Sequence, residues 1–206
     1  MRNKHIIFMA LSIMGIFAFS GMLSSHLPYE KQGEDMAGYS SGSKGTTIHW
    51  MTLEEAVEAQ KKNPKKIIMD IYTDWCGPCK MLDKNTFHHP QVAAYISEHY
   101  YAVKFNAEGN DTINFKGHTF TNPGYDPARK GRRNSAHQLA GYFRVRGYPT
   151  IMFLDENGDV ITPLVGYYTP KNLEIYLKLF ASNDYKNIKT KEEWEAYQKE
   201  FKYEFE

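Results

Sequence analysis

Cys76 and Cys79 are the only cysteines in the 206-residue chain, and they stand in the stretch Asp74-Trp75-Cys76-Gly77-Pro78-Cys79-Lys80, directly after an apolar run. Two thiols at this spacing can cycle between dithiol and disulfide, supply half of a zinc site, or form a static cross-link. Zinc needs further ligands. His88 and His89 follow closely, but there is no second cysteine pair. A static bridge around so short a loop constrains little of the unfolded chain. Redox exchange is the chemistry that the pair fits, and neither a metal nor another cofactor is expected.

Only a thiolate attacks a disulfide, so the first sulfur must be placed where its anion is favoured. The start of a helix is such a place, because unpaired N–H groups and the positive dipole end meet there. Ile67 to Thr73 (IIMDIYT) is a nearly continuous apolar run of strand length, as for a strand covered on both faces. Cys76 follows where that strand gives way to a helix running to about Phe87. Pro78 lacks an N–H, which suits a first helical turn. Cys79 lies one turn on from Cys76, and is expected beneath it and within bridging reach.

The remaining elements must carry this strand and helix. Ile48-His49-Trp50 is a short strand candidate, and Thr52 to Glu55 forms a capping box for a helix with Leu53, Ala56 and Val57 on one face. A helix from Pro90 presents Val92, Tyr95 and Ile96, and Tyr101 to Asn106 is the next strand. Residues 107–133 break the pattern with a hairpin about Lys116-Gly117 and then a Pro/Gly-rich basic piece ending in Arg129-Lys130-Gly131-Arg132-Arg133. Those cations read first as solvated loop charge, with a partner patch as the alternative. Helical spacing returns at Ala136, Leu139, Ala140 and Phe143. A strand at Ile151–Leu154 turns at Asn157-Gly158 into Val160–Val165, which Pro163 marks as a sheet edge. Thr169-Pro170 starts a helix with Leu173, Leu177 and Phe180 inside, and Thr190 to Glu193 caps a last amphipathic one carrying Trp194, Tyr197 and Phe201. The order predicts an α/β fold, with a central mixed sheet of about five strands, helices on both faces, an insertion after the third strand and an extra C-terminal helix.

With 42% hydrophobic residues there is material for one substantial core, and a net charge of +1 gives no reason to expect nucleic-acid binding. Arg2, Lys4 and His5 precede an uncharged, mostly apolar run from Ile6 to Phe19, and Ala18-Phe19-Ser20 has cleavage-site character. Residues 1–23 therefore read as a signal peptide or an N-terminal membrane anchor, and 24–47 as a flexible linker rich in Gly and Ser. The folded domain is expected over 48–182, with a helical extension over 183–206. Export, to the periplasm or to a tethered position facing it, would place the cysteines where disulfides persist.

The chain resembles the thioredoxin superfamily. The residues that carry the likeness are Trp75-Cys76-Gly77-Pro78-Cys79-Lys80, Asp70 six positions before the first cysteine, Gly147-Tyr148-Pro149-Thr150 and Gly166. Asp70 to Val92 resembles the branch that holds the C-terminal domain of the disulfide reductase DsbD and related exported proteins. The kink-forming proline of thioredoxins is absent, and Lys84 stands in its place. The resemblance implies the thioredoxin fold and a monomeric thiol–disulfide oxidoreductase. In it Cys76 is the nucleophile, Cys79 the resolving thiol, Asp70 the proton acceptor and Lys104 a neighbour of that acid. It further implies a cis Pro149 beside the pair, flanked by Tyr148 and Thr150, and Trp75, Gly77, Pro78 and Lys80 as supporting or substrate-facing residues. Burial should raise the pKa of Asp70. Gly-Pro between the cysteines resembles the reducing members, which implies disulfide-containing exported proteins as partners and a membrane or thioredoxin-like electron donor. A disulfide oxidant or isomerase, or a non-catalytic peptide-binding module, are the alternatives.

Overall fold

The computed structural model describes residues 47–206, so the leader at 1–23 and nearly all of the 24–47 linker lie outside the described residues. Strand β1 (Trp50–Met51) is followed by α1 (Leu53–Lys62), β2 (Lys66–Tyr72), α2 (Gly77–Leu82), α3 (Pro90–His99) and β3 (Tyr100–Asn106). The insertion contributes β4 (Ile113–Phe115) and β5 (His118–Phe120), and then come α4 (Gln138–Tyr142), β6 (Thr150–Leu154), β7 (Val160–Val165), α5 (Pro170–Ala181) and α6 (Lys191–Glu200). The main sheet has the order β1-β3-β2-β6-β7. β1, β3 and β2 run parallel, β6 runs antiparallel to β2, and β7 runs antiparallel to β6. This is the thioredoxin fold, with β2 at the centre and Pro163 on the β7 edge. Among the described residues no helix is long and apolar enough to cross a membrane.

Two local readings shift by a residue or two for visible reasons. Ile48 is buried in the core rather than paired, and the first strand is confined to Trp50–Met51. The helical spacing that begins at Ala136 yields a helix only from Gln138. His137 takes the N-cap position there, its Nδ1 accepting from the Leu139 amide at 3.1 Å.

β2 is buried over all but its last residue, which is why its sequence is so continuously apolar. Successive side chains point to opposite faces. Ile67, Met69 and Ile71 join Leu53 and Ala56 of α1, Val103 and Phe105 of β3, and Leu139 of α4 in one core cluster. Ile68 joins Leu82, Ile96, Leu173, Leu177 and Phe180 on the other face. Asp70 shares the Ile68 face, so the strand period itself aims a carboxylate at the underside of α2. The insertion is part of the core, since Ile113, Phe115 and Phe120 pack into the first of these clusters.

The C-terminal extension is fastened by a group with no signature in the apolar periodicity. Glu174, wholly buried on α5, accepts the backbone N–H groups of Glu204 (2.9 Å) and Phe205 (2.9 Å), and pairs with Lys178 at 2.8 Å. Phe205 is buried in the cluster that holds Ile68, and Trp194 of α6 stacks on Tyr176 with ring centroids 5.8 Å apart. Glu174→Ala should lower the unfolding free energy by about 2–4 kcal/mol, because two buried donors lose their acceptor. Urea unfolding checks this. In a double-mutant cycle with Phe205→Ala the two losses should be strongly non-additive. A loss below about 0.5 kcal/mol would mean that the clasp does not hold the tail.

Candidate active site

β2 ends at Tyr72, and the chain turns through Thr73–Trp75 before Cys76 takes the N-cap position of α2. The Cys76 amide is held by the Thr73 carbonyl at 3.1 Å, and the Cys79 amide donates to Cys76 Sγ at 3.1 Å. Cys76 and Cys79 form a disulfide with their Cα atoms 5.3 Å apart. They are 2% and 4% exposed, whereas Gly77, Pro78 and Lys80 around them are open to solvent. A Cβ on Gly77 would meet no atom within 4 Å, so packing within the chain does not demand a glycine there. On reduction the same Cys79 N–H is aimed at the sulfur that would carry the negative charge, an arrangement that favours the anion.

The loop before β6 lies across from this helix start. The Tyr148–Pro149 peptide is cis, Thr150 Oγ1 donates to the Gly147 carbonyl at 2.7 Å, and the Pro149 carbonyl accepts from Gly166 at 2.8 Å. Trp75 and Tyr148 meet edge to face with ring centroids 6.2 Å apart. The loop is thus tied to β7 behind it and to Trp75 in front.

Beneath the pair, Asp70 is 1% exposed and lies opposite Lys104 in the β2–β3 register. Lys104 Nζ is 3.8 Å from Asp70 Oδ2 and makes a tighter ion pair with Asp83. Its ammonium also sits over the rings of Trp50 (5.1 Å) and Tyr72 (5.6 Å). Asp70 Oδ1 has no hydrogen-bond partner among the described residues. Burial pushes the Asp70 carboxyl up to about 7; the Lys104 charge opposes this, and the Asp83 charge adds to it. Because Lys104 is shared with a second carboxylate, it neutralises Asp70 only in part. A cleft of about 420 Å³ joins Asp70, Cys79, Asp83 and Lys104, with Tyr72, Thr73, Asp74 and Lys80 completing its wall.

Asp83 lies four positions after Cys79 and hence on the same helical face, yet nothing in the Cys-Gly-Pro-Cys motif marks it. The helix widens there into a π turn over Asp83–Phe87, covering the Lys84 position where a kinking proline was missing. His88 closes that turn, its Nδ1 lying 2.7 Å from the Asp83 carbonyl.

Arg129, Lys130, Arg132 and Arg133 of the insertion are exposed, as solvated loop charge would be, but one of them also makes a specific contact beside the cysteines. The Arg133 guanidinium lies over the Trp75 ring, 4.4 Å from its centroid. Glu108 Oε2 accepts from Trp75 Nε1 and from the Asn134 amide, both at 2.7 Å. Neither Glu108 nor Arg133 was predicted near the cysteines, because no local pattern links them to Trp75.

The model of the thioredoxin-like domain family matches residues 53–181, more than half of the chain and all the elements just described from α1 to α5. The chain belongs to the thioredoxin-like family. It is 30% identical over 115 residues to the thiol:disulfide interchange protein DsbD of Haemophilus ducreyi, which covers 55% of this chain and 16% of that protein. It is 29% identical over 107 residues to DsbD of Escherichia coli, covering 52% of this chain and 14% of the relative. The chain therefore spans about a sixth of the length of these relatives. Among solved structures, a thioredoxin-fold protein from Helicobacter pylori superposes with a TM-score of 0.52 at 23% identity, covering 66% of this chain and 84% of the other. That likeness supports the thioredoxin-like fold.

Proposed function

We infer that this thioredoxin-like protein is a thiol–disulfide oxidoreductase that reduces disulfides of exported proteins. The observation that carries the reading is the Cys76–Cys79 disulfide at a helix start, with the Cys79 amide directed at Cys76 Sγ. In the reduced protein, the Cys76 thiolate attacks one sulfur of a partner disulfide. A mixed disulfide forms, and the partner's other sulfur leaves as a thiolate that takes up a proton. Cys79 then passes its proton to Asp70, with which it shares the cleft, and attacks Cys76 Sγ. The Cys76–Cys79 disulfide closes and the partner's second sulfur leaves, so the partner gains two electrons and two protons. A membrane or thioredoxin-like donor must return the two electrons. A carboxylate titrating near 7 suits proton transfer at neutral pH, and Lys104 and Asp83 tune it.

The apolar run and basic start in residues 1–23 support an extracytoplasmic place, periplasmic or tethered to the membrane. The Tyr148–Pro149 loop lies beside Trp75, where an extended partner segment can pair with its backbone.

Two measurements test this. The protein, supplied with dithiothreitol, should accelerate insulin disulfide reduction, and no acceleration would overturn the assignment. Its reduction potential should fall near the value of about −270 mV for thioredoxin, whereas a value near −120 mV would make it an oxidant.

A further inference from the structure

We propose that the basic arm of the insertion, with Arg146 of the loop before Pro149, forms a carboxylate-reading subsite. It would select disulfide partners carrying Asp or Glu next to the attacked cysteine. The proposal deepens the exchange reading above and rests on it. Arg129, Lys130, Arg132 and Arg133 put four cations into five residues, and Arg144 and Arg146 add two more in the segment leading to Tyr148. A cleft of about 340 Å³ between the two segments is lined by Trp75, Glu108, Arg133, Val145, Arg146, Gly147 and Tyr148. Trp75, whose ring forms one wall, directly precedes Cys76. A side chain lodged there belongs to a chain passing the disulfide.

The arm is built into the fold, which separates it from ordinary loop charge. Asn122, 4% exposed, donates to the Gly109 carbonyl (2.9 Å) and the Ser135 carbonyl (2.8 Å), and accepts from Ser135 Oγ (2.6 Å). Asn134 donates to the Asp126 carbonyl and accepts its amide, both at 2.9 Å. Among the described residues Glu108 is the only acid lining the cleft, and its Oε2 holds Trp75 Nε1 and the Asn134 amide. It anchors the arm without pairing with the arginines. Among the described residues neither Arg133 nor Arg146 has an ion-pair partner. Two arginines line one cleft, and each guanidinium is a planar fork of donors that matches a carboxylate. Arg133 is pre-oriented by its stacking on Trp75.

The test uses three disulfide-bridged peptides, identical except for Glu, Gln or Lys beside the cysteine, and follows their reduction by the full chain. The Glu peptide should react about tenfold faster than the Gln peptide at low salt and the Lys peptide more slowly, with the spread shrinking in 0.5 M NaCl. In Arg133→Gln/Arg146→Gln the Glu-to-Gln rate ratio should fall to near one. Arg146→Gln alone, which leaves the Trp75 stack in place, should lose only part of it. Equal rates on all three peptides, or a ratio unchanged in the double variant, overturn the subsite alone. Reduction of none of them overturns the exchange reading and the subsite with it.

Discussion

Cys79→Ser, reduced and mixed with a disulfide-bearing protein, is expected to stop after one event and accumulate a covalent adduct through Cys76. The reason lies in the division of labour between the two sulfurs. Cys76 sits at the N-cap with the Cys79 amide directed at it, and that amide belongs to the backbone, so replacing the Cys79 side chain leaves it in place. The first attack therefore survives. The second does not, because the sulfur that would displace the partner is gone, and a serine hydroxyl does not cleave a disulfide. Turnover should vanish, while the mixed disulfide resists dilution and yields only to added thiol. Cys76→Ser should show neither turnover nor adduct, since the amide that favours a thiolate is directed at Cys76 and, among the described residues, no donor is directed at the Cys79 sulfur. Non-reducing electrophoresis and intact mass measurement distinguish the two variants. An adduct carried by Cys79 in the Cys76→Ser protein would reverse the assignment of nucleophile and resolver.

The parts of the fold readable in the sequence are those with a local cause. The Thr52 and Thr190 capping boxes, the apolar run of β2, the Asn157-Gly158 turn and the Pro163 edge each follow from residues within a few positions of one another. Cys76 and Cys79 are legible for the same reason, while Asp70, pointed to by the resemblance, lies on the strand that leads into their helix. What escaped is long in sequence and polar. Glu108 reaches Trp75, Lys104 reaches Asp83, and Glu174 holds the backbone at Glu204. Such pairs have no period, so nothing in a helix or strand pattern announces them. The basic run near Arg133 was visible as composition, but its role depends on the Asn122 and Asn134 contacts that turn the arm back toward the cysteines. The site thus joins a locally encoded redox core to a rim that only tertiary structure assembles.

Asp70→Asn should make the protein more stable at pH 8 and slower in exchange, and the two effects have one cause. The Asp70 carboxyl titrates at about 7 in the fold against an ordinary aspartate value of 3.8. Between those values the folded chain holds a proton that the unfolded chain has released, so stability falls as pH rises from about 4 to about 7 and stays lowered above it. Three pH units at about 1.4 kcal/mol each put that loss near 4 kcal/mol at most. A neutral side chain of the same shape escapes it. Wild type and variant should unfold alike near pH 4, and the variant should gain by up to about 4 kcal/mol at pH 8. Denaturant titrations at several pH values check this, and an offset that does not change with pH would place its origin in packing. The kinetic arm runs the other way. On the proposed path ionised Asp70 accepts the Cys79 proton, so in wild type the release of the mixed disulfide should quicken as pH rises through about 7. The variant should lose that inflection and be slowed by about 100-fold at pH 7, the usual scale for a missing general base. Lys104 remains paired with Asp83 in the variant, so loss of the acid need not disturb the lysine. An unaltered pH profile in single-turnover release would remove Asp70 from the proton path, even if the stability gain appeared as expected.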